Sequence, residues 1–146
     1  VIIDAVPGGT ARFVSNVFAE RARDAGAFTV MSTRDLSIDG GDVGRDAVLR
    51  DGSGVLLGVL SSDRGTTTYW IPMGVQESES RALACRLANS YSGVIRPIDA
   101  SLLEKSDPRK VLSSQRPGVL AELATSDARD EDINKVGEAL YAALAR

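Results

Sequence analysis

The chain has 146 residues, 43% of them apolar and 25% charged, which is typical of one globular domain over residues 1–146. Its net charge is −3, from 17 Lys and Arg against 20 Asp and Glu, so no basic field favours binding to nucleic acid. No apolar run approaches the roughly 20 residues of a membrane-spanning helix. We expect a soluble domain that meets a membrane only through a segment outside this sequence.

Two residue counts restrict the chemistry of any site. The chain has no histidine, which removes the usual general base near neutral pH and the commonest zinc ligand. It has one cysteine, Cys85, which excludes an internal disulfide and a cysteine-based zinc cage. Because no histidine exists to activate it, we expect Cys85 to be a buried, inert thiol on a helix. The composition predicts a domain with no metal and no cofactor.

The first half of the chain predicts the beginning of a parallel sheet, because apolar strand-length runs alternate with a helical pattern. The first strand stops where Pro7, Gly8 and Gly9 form a turn. In order, the predicted elements are a strand at Val1–Val6, a helix from Thr10 to Gly26, a strand at Phe28–Met31, a polar loop at Asp35–Gly44 and a short helix at Arg45–Arg50.

The second half continues the alternation of strands and helices. Its predicted elements are strands at Val55–Leu60, Thr66–Ile71, Val94–Ile98 and Val119–Leu123, a helix at Glu77–Ser90, a polar linker at Asp99–Ser114, and a last helix with Ile133, Val136, Leu140 and Leu144 on one face. The continuous apolar run at Val55–Leu60 is typical of a strand covered on both faces. Tyr69 and Trp70 are adjacent on a strand and point to opposite faces, so one is core and the other is available for stacking on a sugar. The whole pattern predicts an α/β fold: an open, mostly parallel twisted sheet of five to six strands flanked by helices.

Six segments, in this order, resemble the family-3 N-acetylmuramoyl-L-alanine amidases, zinc enzymes that cleave peptidoglycan between the glycan and its stem peptide. The similar segments are IDAVPGG at Ile3–Gly9, FTVMSTRD at Phe28–Asp35, RDAVLR at Arg45–Arg50, VLLGVLSSD at Val55–Asp63, GTTTYW followed by ESESRALACRLA, and RPGVLAELATSDARDE at Arg116–Glu131. The resemblance spans nearly the whole chain and implies an amidase-like fold.

The resemblance also implies that the zinc site of this family is missing. Pro7 stands at the position of the first histidine ligand, Ala11 or Arg12 at that of the glutamate ligand, and Leu60 at that of the second histidine. None of these side chains can coordinate zinc. The family's late catalytic glutamate is matched by Glu122, which without zinc has no activated water to act upon.

The charged residues near these positions have both a structural and a functional interpretation. The favoured interpretation of Glu122, which lies in an apolar strand, is a structural carboxylate that accepts a hydrogen bond from a partner at the sheet edge. Asp4 is interpreted as an anchor of a helix end or a loop, and Arg34 and Arg45 as partners of these acids in a structural ion network. In the functional reading, a ligand groove is lined by Asp4, Arg12, Arg34, Arg45, Asp63 and Glu122.

We therefore expect a catalytically inactive amidase-like domain that serves as a binding or regulatory module of the cell envelope. Its partner would be a protein that builds or cuts the wall, and peptidoglycan fragments would bind weakly. The alternative is a hydrolase that acts on peptidoglycan or a related substrate through Asp4, Asp63 and Glu122, without zinc. A cytoplasmic regulator of wall-precursor synthesis is a third reading.

Overall fold

The structure is a computed structural model, and it describes residues 2–5, 30–33, 55–62, 65–113, 116–124 and 130–144, with single helical positions at 14, 16, 17, 20, 21 and 24. The predicted turn at Pro7–Gly9, the loop at Asp35–Gly44 and the short helix at Arg45–Arg50 lie outside the described residues. In the described part of the chain, no helix is long and apolar enough to cross a bilayer.

The elements follow the predicted order closely. The strands are β1 (Ile2–Ala5), β2 (Val30–Thr33), β3 (Leu56–Ser61), β4 (Thr68–Pro72), β5 (Val94–Ile98) and β6 (Gly118–Leu123). The helices with defined ends are α1 (Glu77–Ser90) and α2 (Asp130–Leu144), and two 3₁₀ helices span Ala100–Leu102 and Pro108–Ser113. The predicted helix between β1 and β2 is confirmed at its six described positions.

The six strands form one sheet in the order β2-β1-β3-β6-β4-β5. Every neighbouring pair is parallel except β4 and β6, which are antiparallel. The last strand in the sequence is therefore inserted between β3 and β4. The predicted α/β fold with a mostly parallel sheet is confirmed.

The two faces of the sheet carry two separate apolar clusters. The larger cluster joins one face to α1, α2 and Val14 of the helix between β1 and β2. The smaller cluster lies on the opposite face and contains Leu56, Leu120, Ala100, Val111 and Leu112. As the continuous apolar run predicts, β3 is buried on both faces.

Within the segment predicted as a polar linker, Asp99–Ser114, the described residues 99–113 instead form a structured cover for the second face of the sheet. Its two 3₁₀ helices bury Ala100, Val111 and Leu112 against Leu56 and Leu120. Asp99 accepts a hydrogen bond from the backbone N–H of Ser101, which caps the first of these helices. The polar composition did not predict these two helices, because a 3₁₀ helix of three to six residues needs few apolar contacts.

Cys85 is exposed, so the predicted burial of this thiol is wrong. The buried stripe of α1 is formed by Ser80, Leu83, Ala84 and Leu87, at the i, i+3, i+4 and i+7 spacing of one helix face. Cys85 follows Ala84 by one residue and is rotated by about 100° away from that stripe.

The turns on either side of α1 fix β4 and β5. Gly74 has a φ of 104°, a left-handed conformation that suits glycine, and it ends β4 as its position after Pro72 predicts. Beyond α1, the Tyr69 hydroxyl donates to the backbone carbonyl of Tyr91, and the backbone N–H of Val94 donates to the carbonyl of Thr67. These two bonds hold the chain against β4 at Gly93.

We expect Gly93→Ala to lower the free energy of unfolding by about 1–3 kcal/mol, the usual range for overpacking. A Cβ atom at this position would lie 2.6 Å from the carbonyl oxygen of Thr67 and 2.8 Å from Cε2 of Tyr69. Gly65→Ala is the matched control, because a Cβ atom there meets nothing within 4 Å. Denaturant unfolding measures both variants, and equal stabilities would contradict the close approach at Gly93.

Candidate functional site

Near the carboxyl end of β6, one face of the sheet carries Leu60, Trp70 and Glu122. Glu122 is the register partner of Leu60 in β3 on one side and of Thr68 in β4 on the other. Trp70 pairs with Leu120, two residues before Glu122, and thus lies on the same face. Leu60, which stands where the amidase pattern has its second histidine, and Glu122, which matches the catalytic glutamate of that pattern, are therefore neighbours in the sheet.

A cavity of about 530 Å³ opens at this place, here named the Glu122 cavity. The sheet contributes Leu60, Trp70 and Glu122, and the chain around the second 3₁₀ helix supplies the opposite wall. That wall consists of Leu102, Leu103, Glu104, Ser106, Asp107, Pro108 and Arg109. The segment that the sequence presents as a linker thus forms half of the candidate site.

Glu122 is bound to the indole of Trp70. The indole Nε1–H donates to Oε2 of Glu122 at 3.2 Å, and both side chains are half-buried. A carboxylate beside an apolar cluster needs such a donor, because an unpaired buried charge is costly. The expected hydrogen-bonding partner is found, but β6 lies inside the sheet, so Glu122 sits at a strand end and not on an edge strand.

Arg109 covers the ring of Trp70. Its guanidinium carbon lies 4.8 Å from the ring centroid, which is cation–π distance. Tyr69, by contrast, is fully buried in the larger cluster. Of the two adjacent aromatic residues, Trp70 is therefore the one that faces the cavity, with Arg109 over its ring.

Asp107 holds Arg109 in this position by a two-point contact. Nε of Arg109 donates to Oδ1 at 3.1 Å, and Nη2 donates to Oδ2 at 2.8 Å. The hydrogen bond from Arg109 lowers the pKa of Asp107, and the reciprocal bond raises the pKa of Arg109, with a smaller contribution from Glu122. Asp107, Arg109, Trp70 and Glu122 thus form one continuous chain of contacts along the cavity.

The described residues around Glu122 do not fit a zinc ion. Leu60 and Trp70 pack against the smaller apolar cluster and offer no ligand atom, since the indole nitrogen is only a donor. Within the described ranges, no group of three His, Cys, Asp or Glu side chains could hold a metal. The other ligand positions of the amidase pattern, Pro7 and Ala11 or Arg12, lie outside the described residues.

Of the remaining predicted groove residues, only Asp4 lies in the described part of the chain. Arg12, Arg34, Arg45 and Asp63 lie outside the described residues. The backbone of Asp4 pairs with Gly58 in β3, which in turn pairs with Leu120. Asp4 is therefore two strands from β6, roughly 10 Å across the sheet, and two positions away from the level of Glu122.

Arg109 and Asp107 are functional candidates that the sequence analysis does not single out. Both lie in the segment interpreted as a linker, and the contact of Arg109 with Trp70 joins residues 39 positions apart. The motif Asp-Pro-Arg at residues 107–109 carries one readable signal, since an aspartate before proline commonly starts a turn. Nothing in that motif indicates the aromatic ring that the arginine covers.

The backbone is similar to solved amidase structures. It matches the N-acetylmuramoyl-L-alanine amidase AmiC2 of Nostoc punctiforme with a TM-score of 0.63 and 14% identity, over 99% of this chain and 95% of the amidase chain. It matches the catalytic domain of CwlV, an N-acetylmuramoyl-L-alanine amidase of Bacillus (Paenibacillus) polymyxa var. colistinus, with a TM-score of 0.63 and 12% identity, over 99% and 94% of the two chains. No protein-family profile matches the sequence, and no curated protein matches it either. The chain therefore has the amidase fold that the resemblance implies.

The pKa of Asp107 should rise toward the ordinary carboxyl value of about 3.9 in Arg109→Gln, because the donor that stabilises its charged form is removed. Carboxyl NMR titration measures this change. Because the folded pKa is lowered, the stability contributed by the pair is complete above the ordinary pKa and is lost as the pH falls through the lowered value. The pair is partly exposed, so this contribution should stay below about 1 kcal/mol. Arg81→Gln, on α1, is the control, and an unchanged Asp107 pKa in Arg109→Gln would contradict the contact.

Proposed function

We propose that this chain is a catalytically inactive amidase-fold domain that acts as a binding and regulatory module in bacterial peptidoglycan metabolism. The observation that carries the proposal is the neighbourhood of Glu122. Where the amidase pattern calls for a metal-binding histidine, Leu60 lies beside Glu122, and the carboxylate is bound to the Trp70 indole. The fold of the amidases supports the link to the cell wall.

The chemistry of these side chains argues against amide hydrolysis. Cleavage of an amide at neutral pH needs an activated water, which a zinc ion supplies by lowering the pKa of bound water. The chain has no imidazole, and the carboxylate at this site already accepts a hydrogen bond from the indole, whose ring Arg109 covers. Without a metal ion, Glu122 has no water molecule of lowered pKa from which to take a proton.

We propose that the partner is a protein of the cell envelope that builds or cuts the wall. Three exposed apolar side chains support a protein contact: Met73 is 55%, Val75 96% and Leu102 82% exposed. Met73 and Val75 line a cavity of about 450 Å³ together with Ala100 and Ser101 of the first 3₁₀ helix. Exposed apolar groups around a cavity are more typical of an interaction surface than of a surface that only contacts water. An extracytoplasmic location follows from this assignment.

We expect no release of stem peptide from peptidoglycan or muramyl-peptide substrates, with or without added zinc, at protein concentrations where an active amidase completes the reaction. The physical reason is the lack of a metal-activated water beside Glu122. Chromatography of the soluble products measures the outcome, with an active zinc amidase as the positive control. Release of peptide that disappears in Glu122→Gln would overturn the proposed function.

A further inference from the structure

Trp70 lines two cavities. The first is the Glu122 cavity described above. The second, here named the Arg96 cavity, has a volume of about 480 Å³ and lies over β4 and β5. Its lining residues are Gly65, Thr66, Thr68, Trp70, Val94 and Arg96. The indole therefore stands at the junction of two recesses in one face of the sheet.

The two cavities carry opposite net charge. In the Glu122 cavity the charges of Asp107 and Arg109 offset each other, which leaves the carboxylates of Glu104 and Glu122. The Arg96 cavity has the guanidinium of Arg96 as the charged group of its lining. Among the described residues, no carboxylate forms an ion pair with Arg96. The surface thus presents a negative recess and a positive recess on either side of one aromatic ring.

The sheet geometry sets the distance between these charges. Arg96 is the register partner of Trp70, and Glu122 is the register partner of Thr68. β5 and β6 are separated only by β4, so the two residues lie roughly 10 Å apart across the sheet and two positions, roughly 7 Å, apart along it, which makes about 12 Å in all. An extended peptide advances about 3.3–3.6 Å per residue, so roughly three to four residues span this distance.

Resting on the proposed function, we propose that this face binds a short peptide of about three to four residues that carries both an ammonium and a carboxylate group. The ammonium lies in the Glu122 cavity near Glu104 and Glu122, and the carboxylate contacts Arg96. The middle of the peptide crosses Trp70 beside Val94, where small apolar side chains are favoured. Charge polarity, and not a metal, defines the orientation of the ligand.

The test uses three probes: trialanine with free ends, its N-acetylated form and its C-terminal amide. NMR titration of the full chain should show weak binding of the free peptide, in the roughly millimolar range expected for two exposed charge contacts. Each blocked form should bind about two- to five-fold more weakly, because each loses one charge contact. The shifts should centre on Trp70 and its neighbours.

Two variants assign the ends of the peptide. Arg96→Gln should abolish the difference between the free and the amidated carboxyl end, and should keep the difference caused by acetylation. Glu104→Gln should reduce the difference caused by acetylation, because only Glu122 then remains near the ammonium, and should keep the difference between the free and the amidated carboxyl end. Lys135→Gln and Asp132→Asn, both exposed on α2, are the matched charge controls and should bind all three peptides as the unmodified chain does.

Equal affinities of the three peptides, unchanged discrimination in Arg96→Gln, or no binding of any peptide would overturn this inference. Such results leave the proposed function standing, because trialanine contains no bond between muramic acid and alanine. Conversely, cleavage of muramyl-peptide substrates would overturn the proposed inactivity without deciding the polarity of peptide binding.

Discussion

The insertion of β6 between β3 and β4 is the constraint on which the rest of the structure depends. β6 is parallel to β3 and antiparallel to β4, and its residues are buried on both faces except at Glu122. Its ends are fixed by side chains of other elements: the N–H of Gly118 donates to the hydroxyl of Ser80, and that of Ala124 donates to the hydroxyl of Thr67. A carboxylate is tolerated in such a strand only near its end and with a hydrogen-bond donor close by. Glu122 meets both requirements, because it is the second-last residue of β6 and lies beside the indole N–H of Trp70.

The strands and α1 were predictable because each has a local signal. β3 is a continuous apolar run, and α1 begins and ends at the predicted residues Glu77 and Ser90. The contact between Trp70 and Glu122 was not predictable, because it depends on the antiparallel pairing of β4 with β6, and no local pattern states the direction of a strand. The cover formed by Val111 and Leu112 was missed for a related reason, since two apolar residues in a polar segment indicate burial only once the opposite surface is known. The resemblance to the amidases, in contrast, required only the order of the segments, and the fold confirms it.

The site combines an amidase-like backbone with the side-chain contacts on which the proposed loss of hydrolysis rests. The carboxylate that would act on a metal-bound water accepts a hydrogen bond from an indole, and Arg109, anchored by Asp107, covers the ring of that indole. These contacts hold Trp70 in one orientation between two recesses of opposite charge. A preorganised aromatic ring with charged groups on either side favours binding of a small polar ligand, because less side-chain freedom is lost when the ligand binds.

We propose that the side chains around Glu122 exclude zinc, and a crystal structure grown with a zinc salt, with anomalous scattering recorded at the zinc edge, tests this proposal most directly. We predict no zinc peak beside Glu122 and an indole N–H of Trp70 that still donates to the carboxylate. A zinc ion about 2.0–2.2 Å from a Glu122 oxygen, with the indole bond broken, would contradict the account.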